Sequence, residues 1–252
     1  MADYSRFSSF YDAVMDDPAP RACRVQGLIE RHLPGAQTLL ELGCGTGSIL
    51  AHLPTIHSLT GLDRSPEMLA LARDKVPRAR LIEGDMASFS LGERFDVVIC
   101  VFDSLNHLMT FEGWNSMFGA AYDHLVEGGL FIFDVNTVGE LRRLGDEPPW
   151  VYDFDGNVVI MDVCSTGHGG SLWDIRIFED VGESQYLLHH EQIGELAVSL
   201  STIRSALEAQ FALLEEMNED GDPPTDDSVK AHFACRRRHQ SPPVVTTVDR
   251  LA

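Results

Sequence analysis

Between residues 36 and 134 short apolar runs alternate with segments whose apolar residues recur at helical spacing. The runs near 38–42, 58–62, 80–83, 95–101 and 129–134 predict strands. The segments near 48–53, 66–75 and 111–125 predict helices. Strands and helices alternating in this way predict a parallel sheet covered on both faces. Some boundaries have a local cause. Ser65 stands where a helix N-cap belongs, with Pro66 at the first helical position. Gly128-Gly129 reads as the close of a helix before the fifth strand.

After Asp134 the pattern changes. Val158–Met161, Leu172–Phe178 and Gln185–Leu188 are β-type runs, and the glycine-rich stretch Gly167–Ser171 separates the first two. They predict an antiparallel insertion of two or three strands within 150–193. Ser201–Ala209 reads as a helix, and Phe211–Met217 with Ala231–Arg236 as a closing antiparallel hairpin, so that 195–237 forms one unit. The acidic, proline-bearing stretch Asn218–Asp227 predicts a mobile loop. Residues 1–35 read as a helical cap, 36–138 as the core and 239–252 as a frayed tail, all in a single domain.

Composition narrows the function classes. A formal net charge of −20 argues against a nucleic-acid partner, because the phosphate-neutralising contribution to affinity would be missing. No apolar run approaches the roughly 20 residues that span a bilayer, so no membrane partner is expected. The start has neither a basic region nor an apolar one, so no signal peptide is expected. Cysteines 23, 44, 100, 164 and 235 are odd in number and form no C-x-x-C pair, which fits reduced thiols in the cytoplasm.

The chemistry concentrates where the first strand runs into Glu41-Leu42-Gly43-Cys44-Gly45-Thr46-Gly47. Glycines at alternate positions allow a sharp turn and let a ligand approach the backbone. Asp63, at the tip of the next strand, can accept hydrogen bonds from ribose hydroxyls. A dinucleotide-dependent oxidoreductase is the competing reading. Its third glycine would fall at Ser48, and the negative Glu41 is a poor neighbour for a pyrophosphate.

The Glu41-x-Gly43-x-Gly45-x-Gly47 pattern resembles motif I of the class I S-adenosylmethionine (SAM) dependent methyltransferases. Gly84-Asp85-Met86, Phe95–Val101 leading into Phe102–His107, and His124–Asp134 resemble later motifs in the family's order. The resemblance is close over 36–138. It implies a Rossmann-like α/β fold: a seven-stranded, mostly parallel sheet with an antiparallel last strand, and the β insertion after strand five. It also implies SAM as cofactor, S-adenosylhomocysteine (SAH) as product, and a small-molecule acceptor. N-methylation of an amine is favoured over O-methylation, and bacterial small-substrate enzymes are the nearest type. A non-catalytic SAM- or partner-binding protein of the same fold is the alternative. Strand four does not enter the Asn/Asp-Pro-Pro-Tyr/Phe pattern of enzymes that methylate amino groups in nucleic acids.

Carried over by position, the cofactor set is Glu41, Gly43, Cys44, Gly45, Gly47, Asp63, Arg64, Asp85, Met86, Phe102 and Tyr11. Asp85 would meet the adenine amino group and the Met86 N–H a ring nitrogen. Tyr11, within a Tyr4…Phe7…Tyr11-Asp12 pattern, resembles a lid residue, although an aromatic packed on a helix explains it nearly as well. Met68 and Leu69 read as core. Asp103, Ser104, Asn106 and His107 follow strand four, and Asp134 and Asn136 end strand five on the same rim; some of these will only cap helices. Asp103, His107, His189 and Tyr11 are the weak catalytic candidates. No metal is expected: His189 and His190 are adjacent on a strand and point to opposite faces. Arg236-Arg237-Arg238 reads as a solvated strand end or, less simply, an anion contact.

Overall fold

The computed structural model describes residues 4–239. The expected tail lies, after His239, outside the described residues. Helices α1 (Ser8–Val14) and α2 (Ala19–His32) open the described chain. The core then runs β1 (Thr38–Leu42), α3 (Ser48–Ala51), β2 (Ser58–Asp63), α4 (Pro66–Lys75), β3 (Arg80–Glu83), β4 (Phe95–Cys100), α5 (Phe111–Asp123) and β5 (Leu125–Asn136). Helix α6 (Val138–Leu144) leads into β6 (Trp150–Phe154), β7 (Asn157–Gly167), β8 (Gly170–Asp180) and β9 (Tyr186–Leu196). The chain closes with α7 (Leu200–Leu207), β10 (Phe211–Met217) and β11 (Lys230–Arg237).

Seven strands form one sheet in the order β10-β11-β5-β4-β1-β2-β3, with β11 antiparallel to both neighbours. The strand order reverses at β1, so the carboxyl ends of β1 and β4 flank the crevice where such sheets bind ligands. Alternation along the strands builds a core on each face. Leu40, Leu42, Val98, Phe131 and Phe133 pack with Trp114, Met117 and Phe118 of α5. Leu39, Val97, Ile99, Leu130 and Ile132 pack with Val25, Leu28 and Ile29 of α2. Each large apolar side chain so buried contributes roughly 1.5–3 kcal/mol. Ser65 caps α4 as expected, accepting from the Met68 N–H at 3.1 Å.

Several expectations need correcting. Gly128-Gly129 does not close a helix. α5 ends at Asp123, and the two glycines lie in a long β5 at a register shift between its pairings with Phe95 and Val97. Gly128 has φ +72°, and a Cβ on Gly129 would meet the Val126 carbonyl oxygen at 2.9 Å, so the bulge requires both. The insertion has four antiparallel strands, β6-β7-β8-β9, and reaches Leu196. The α6 helix preceding it went unread because seven residues carry little periodic signal. The 218–227 loop is tied down: Asp226 accepts from the Leu200 N–H at 2.7 Å, and its carbonyl from the Gly139 N–H at 2.7 Å. Arg237 is buried over the Tyr122 ring and donates to the Leu125 carbonyl at 2.5 Å; Arg236 and Arg238 also donate to carbonyls rather than to an anion.

The inner face of the insertion (Val159, Met161, Ile175, Ile177, Ile193) buries Phe7, Phe10 and Val14. Glu191 fastens that segment by accepting from the Arg6 and Phe7 N–H groups at 2.6 and 3.1 Å. The N-terminal helix is thus clamped between insertion and core.

Candidate functional site

The glycine turn lies at the carboxyl end of β1, and its three glycines differ in role. All have positive φ, between +51° and +74°. A Cβ on Gly43 would meet the Ser104 Cβ at 2.8 Å, whereas one on Gly45 would meet nothing within 4 Å. Gly45 therefore faces open space where a ligand can reach the backbone. Gly47, expected at the cofactor, packs instead on α4: its Cβ would meet Val76 at 3.1 Å and Ala72 at 3.3 Å. Asp63 holds the turn, accepting from the Gly45 N–H at 2.8 Å and from the Ser65 N–H at 2.9 Å. Each of its oxygens keeps a lone pair for a hydroxyl. Lys75 binds Asp12 at 2.5 Å, and Thr46 donates to Asp12 at 2.7 Å, so α1 is bolted to the turn.

A cavity of about 270 Å³ opens over this turn, lined by Tyr11, Glu41, Cys44 and Phe102 among others. Glu41 is 2% exposed, and its Oε2 has no hydrogen-bond partner. Burial, then the nearby Asp63, push its carboxyl well above the usual range. A buried, incompletely paired carboxylate at the edge of a cavity favours a cationic ligand. Cys44 is buried against Gly61, whose missing Cβ would lie 2.7 Å from its Sγ; burial raises its thiol, so it is a packed side chain and not a nucleophile.

A second cavity of about 70 Å³ shares Tyr11, Gly43, Gly45, Phe102 and Ser104 with the first and is also lined by Asp63, Arg64, Asp85 and Met86. Met68 lines it too, although buried at 2% exposure. Helical spacing cannot distinguish a core methionine from one that forms both core and cavity wall.

The loop after β4 is strained. Phe102 (φ +66°) and Asp103 (φ +53°) adopt the left-handed conformation, at roughly 1–2 kcal/mol each. Asp134 compensates by accepting from both of their N–H groups, at 3.1 and 2.7 Å. It therefore shapes the rim from behind. Asp103 forms an ion pair with Lys230. Burial would raise Asp103, but Lys230 outweighs it and holds the carboxyl below the usual range. Lys230 donates to Asn136 at 2.8 Å, and Asn136 to Glu195 at 3.1 Å. Asn106, fully buried, donates to the Asn136 and Leu196 carbonyls, and so joins core to insertion. Asn106, Asp134 and Asn136 are thus scaffold, and Ser104 packs against Gly43.

A third cavity of about 60 Å³ lies beneath the insertion, lined by Tyr4, Asp103, His107, Trp173 and Glu195 among others. Tyr11 and Phe102 line all three cavities. His107 Nδ1 lies 3.3 Å from the Gly194 carbonyl, which only accepts, so the neutral ring is protonated there. Its Nε2 then accepts from the Tyr4 hydroxyl at 3.0 Å. Burial raises both Tyr4 and Tyr11, so both hydroxyls keep their protons. His189, a catalytic candidate from the sequence, lies away from the site: it binds Glu179 at 2.9 Å and lines none of these cavities. His190 binds Asp174 at 2.5 Å, and among the described residues no group of three metal-ligating side chains comes together. Tyr186, one of the insertion's aromatics, is 55% exposed at its far end.

Residues 39–129 match the methyltransferase domain family. Over those residues the chain is similar to a methyltransferase domain. A dTDP-3-amino-3,6-dideoxy-alpha-D-glucopyranose N,N-dimethyltransferase of Streptomyces fradiae is 43% identical over 113 residues, 42% of this chain and 44% of that protein. A dTDP-3-amino-3,4,6-trideoxy-alpha-D-glucopyranose N,N-dimethyltransferase of Streptomyces venezuelae is 34% identical over 51% of this chain and 54% of its own length. The chain spans about half the length of these curated relatives. A SAM-dependent methyltransferase from Clostridium acetobutylicum superposes over 94% of this chain and 99% of its own, with TM-score 0.81 and 24% identity, a likeness of fold. The site has features that fit SAM: Gly45 leaves open space, Asp63 keeps free lone pairs, and Glu41 Oε2 lacks a partner. No helix among the described residues is long and apolar enough to cross a membrane.

Proposed function

We propose that this chain methylates a nitrogen of a small-molecule amine, with SAM as the methyl donor. The observation that carries this reading is that Tyr11 and Phe102 wall all three cavities. They form a junction between the cofactor side and the cavity beneath the insertion. Glu41, Gly43, Gly45, Asp63, Asp85 and Met86 would hold the cofactor, with Cys44 and Arg64 beside them. When bound, it supplies a methyl group activated by the positive sulfur. Tyr11, Phe102 and the clamped α1 exclude water and position two ligands, which is most of what such a transfer requires of a protein.

The walls favour nitrogen over oxygen. A hydroxyl acceptor benefits from a base. Tyr4 and Tyr11 keep their protons, Tyr4 occupies the His107 lone pair, Lys230 neutralises Asp103, and the remaining carboxylate, Glu195, can take a proton from an ammonium but is far too weak a base to ionise a hydroxyl. The names of the Streptomyces relatives, N-methylating enzymes of amino sugars, support the same choice. The third cavity, at about 60 Å³, suits the reactive end of a small acceptor. The free cysteines fit a cytoplasmic location. The insertion, through Met161, Trp173, Ile175 and Ile193, would form the acceptor wall.

The test is transfer of a tritiated methyl group from SAM to panels of small amines, phenols and carboxylates. Labelled amine and SAH should appear in equal amounts. Labelled phenol or ester in place of amine would refute nitrogen as the acceptor. Binding of SAM with no transfer to any of the panels would favour the non-catalytic alternative.

A further inference from the structure

We propose that Glu195 is the acceptor-recognition residue: it holds the ammonium of an unphosphorylated amine whose apolar body lies against Trp173, Ile175 and Ile193. This rests on reading the third cavity as the acceptor site. Glu195 is 3% exposed, on a strand of the insertion, and it lines that cavity. Such burial is costly for a carboxylate without a counter-charge. Its Oε2 accepts from the Asn136 amide at 3.1 Å, and no hydrogen bond among the described residues reaches Oε1. Lys230 makes no hydrogen bond to it, being paired with Asp103 and bonded to Asn136, and the attraction of Lys230 and His107 offsets its burial only in part. Burial, then Asp103, hold the Glu195 carboxyl above its usual range. An arriving cation would relieve both penalties.

The rest of the wall limits what the cation may be attached to. Phe7, Phe102, Ile175 and Ile193 are apolar and suit a compact hydrocarbon or ring, and the Trp173 ring adds an apolar face whose buried Nε1 has no partner. Among the residues lining this cavity there is no lysine or arginine, so a diphosphate would find two carboxylates and no counter-charge. The bound ammonium must become neutral before it can accept a methyl group. Glu195 takes that proton: an N–H bond breaks, an O–H bond forms on the carboxylate, and the nitrogen keeps the electron pair.

The experiment is calorimetry on the full chain saturated with SAH, titrated with cyclopentylamine, cyclopentanol, cyclopentanecarboxylate and dTDP. The amine should bind at least about 10-fold more tightly than the alcohol, and the two anions should not bind measurably. Glu195→Gln should lower amine affinity about 10- to 100-fold, the loss expected for one charge-assisted contact. Its SAH affinity and thermal midpoint should stay near wild type, and Glu195→Asp should recover part of the loss. Equal or absent binding of the four probes, tight binding of dTDP, or unchanged amine affinity in Glu195→Gln would each overturn the proposal while SAH binding, and the function it rests on, stand. Failure of the wild type to take up SAH would overturn both.

Discussion

Lys230→Met should destabilise the fold by on the order of 3 kcal/mol at neutral pH. The Lys230 and Asp103 side chains are only 14% and 19% exposed, and the pair closes the strained loop after β4. Removing the lysine leaves a buried carboxylate without its counter-charge, next to Glu195. The pH dependence has a definite sign. Asp103 is held below the usual carboxylate range in the folded protein. Its pairing therefore stabilises the wild type above about pH 4 and is lost as pH falls through the folded value. In the variant burial acts unopposed by Lys230, so the carboxyl takes up a proton at higher pH. The stability gap between the two proteins, measured by urea unfolding, should be largest near pH 8 and narrow towards pH 5. A gap that stays constant, or widens on acidification, would show that Lys230 acts through packing and not charge.

Asp63→Ala should weaken SAM and SAH binding roughly 10- to 150-fold, corresponding to the ~1.5–3 kcal/mol of charge-assisted hydrogen bonds. The residue acts twice. It offers lone pairs to ribose hydroxyls, and it orients Gly45 and Ser65 through their N–H groups. Asp63→Asn separates the two roles, since it keeps an acceptor oxygen and loses the charge. Calorimetry with SAH reads both variants; unchanged affinity in Asp63→Ala would remove Asp63 from the site.

The sequence carried the frame of the molecule and one side of the site. β1, β3 and α4 fall on their expected residues because periodicity, the Ser65 cap and Pro66 all agree locally. The cofactor side was legible for a related reason: alternate glycines followed by an acid at the next strand end form a short-range pattern with few other uses. The acceptor side was not. Lys230 and Glu195 are single charged residues in β-type runs, and their meaning comes from Asp103 and Asn136, far away in sequence. Asp134 and Asn136 were expected on the rim, but the left-handed turn at Phe102 and Asp103 recruits Asp134 from behind. His189 illustrates the opposite error. It was chosen for its chemistry, but the antiparallel register pairs it with Ile177 and lets it reach Glu179. Strand register, which decides such cases, is set by long-range packing that no local motif reports.

The central claim is that the three cavities form one continuous site meeting at Tyr11 and Phe102. A crystal structure of the full chain with SAH tests it most directly. The account predicts ribose hydroxyls on Asp63, adenine beside Asp85 and Met86, and the sulfur at the Tyr11–Phe102 junction, open to the cavity lined by Trp173 and Glu195. SAH bound with its sulfur turned away from that junction, or a protein wall between the sulfur and Glu195, would contradict it.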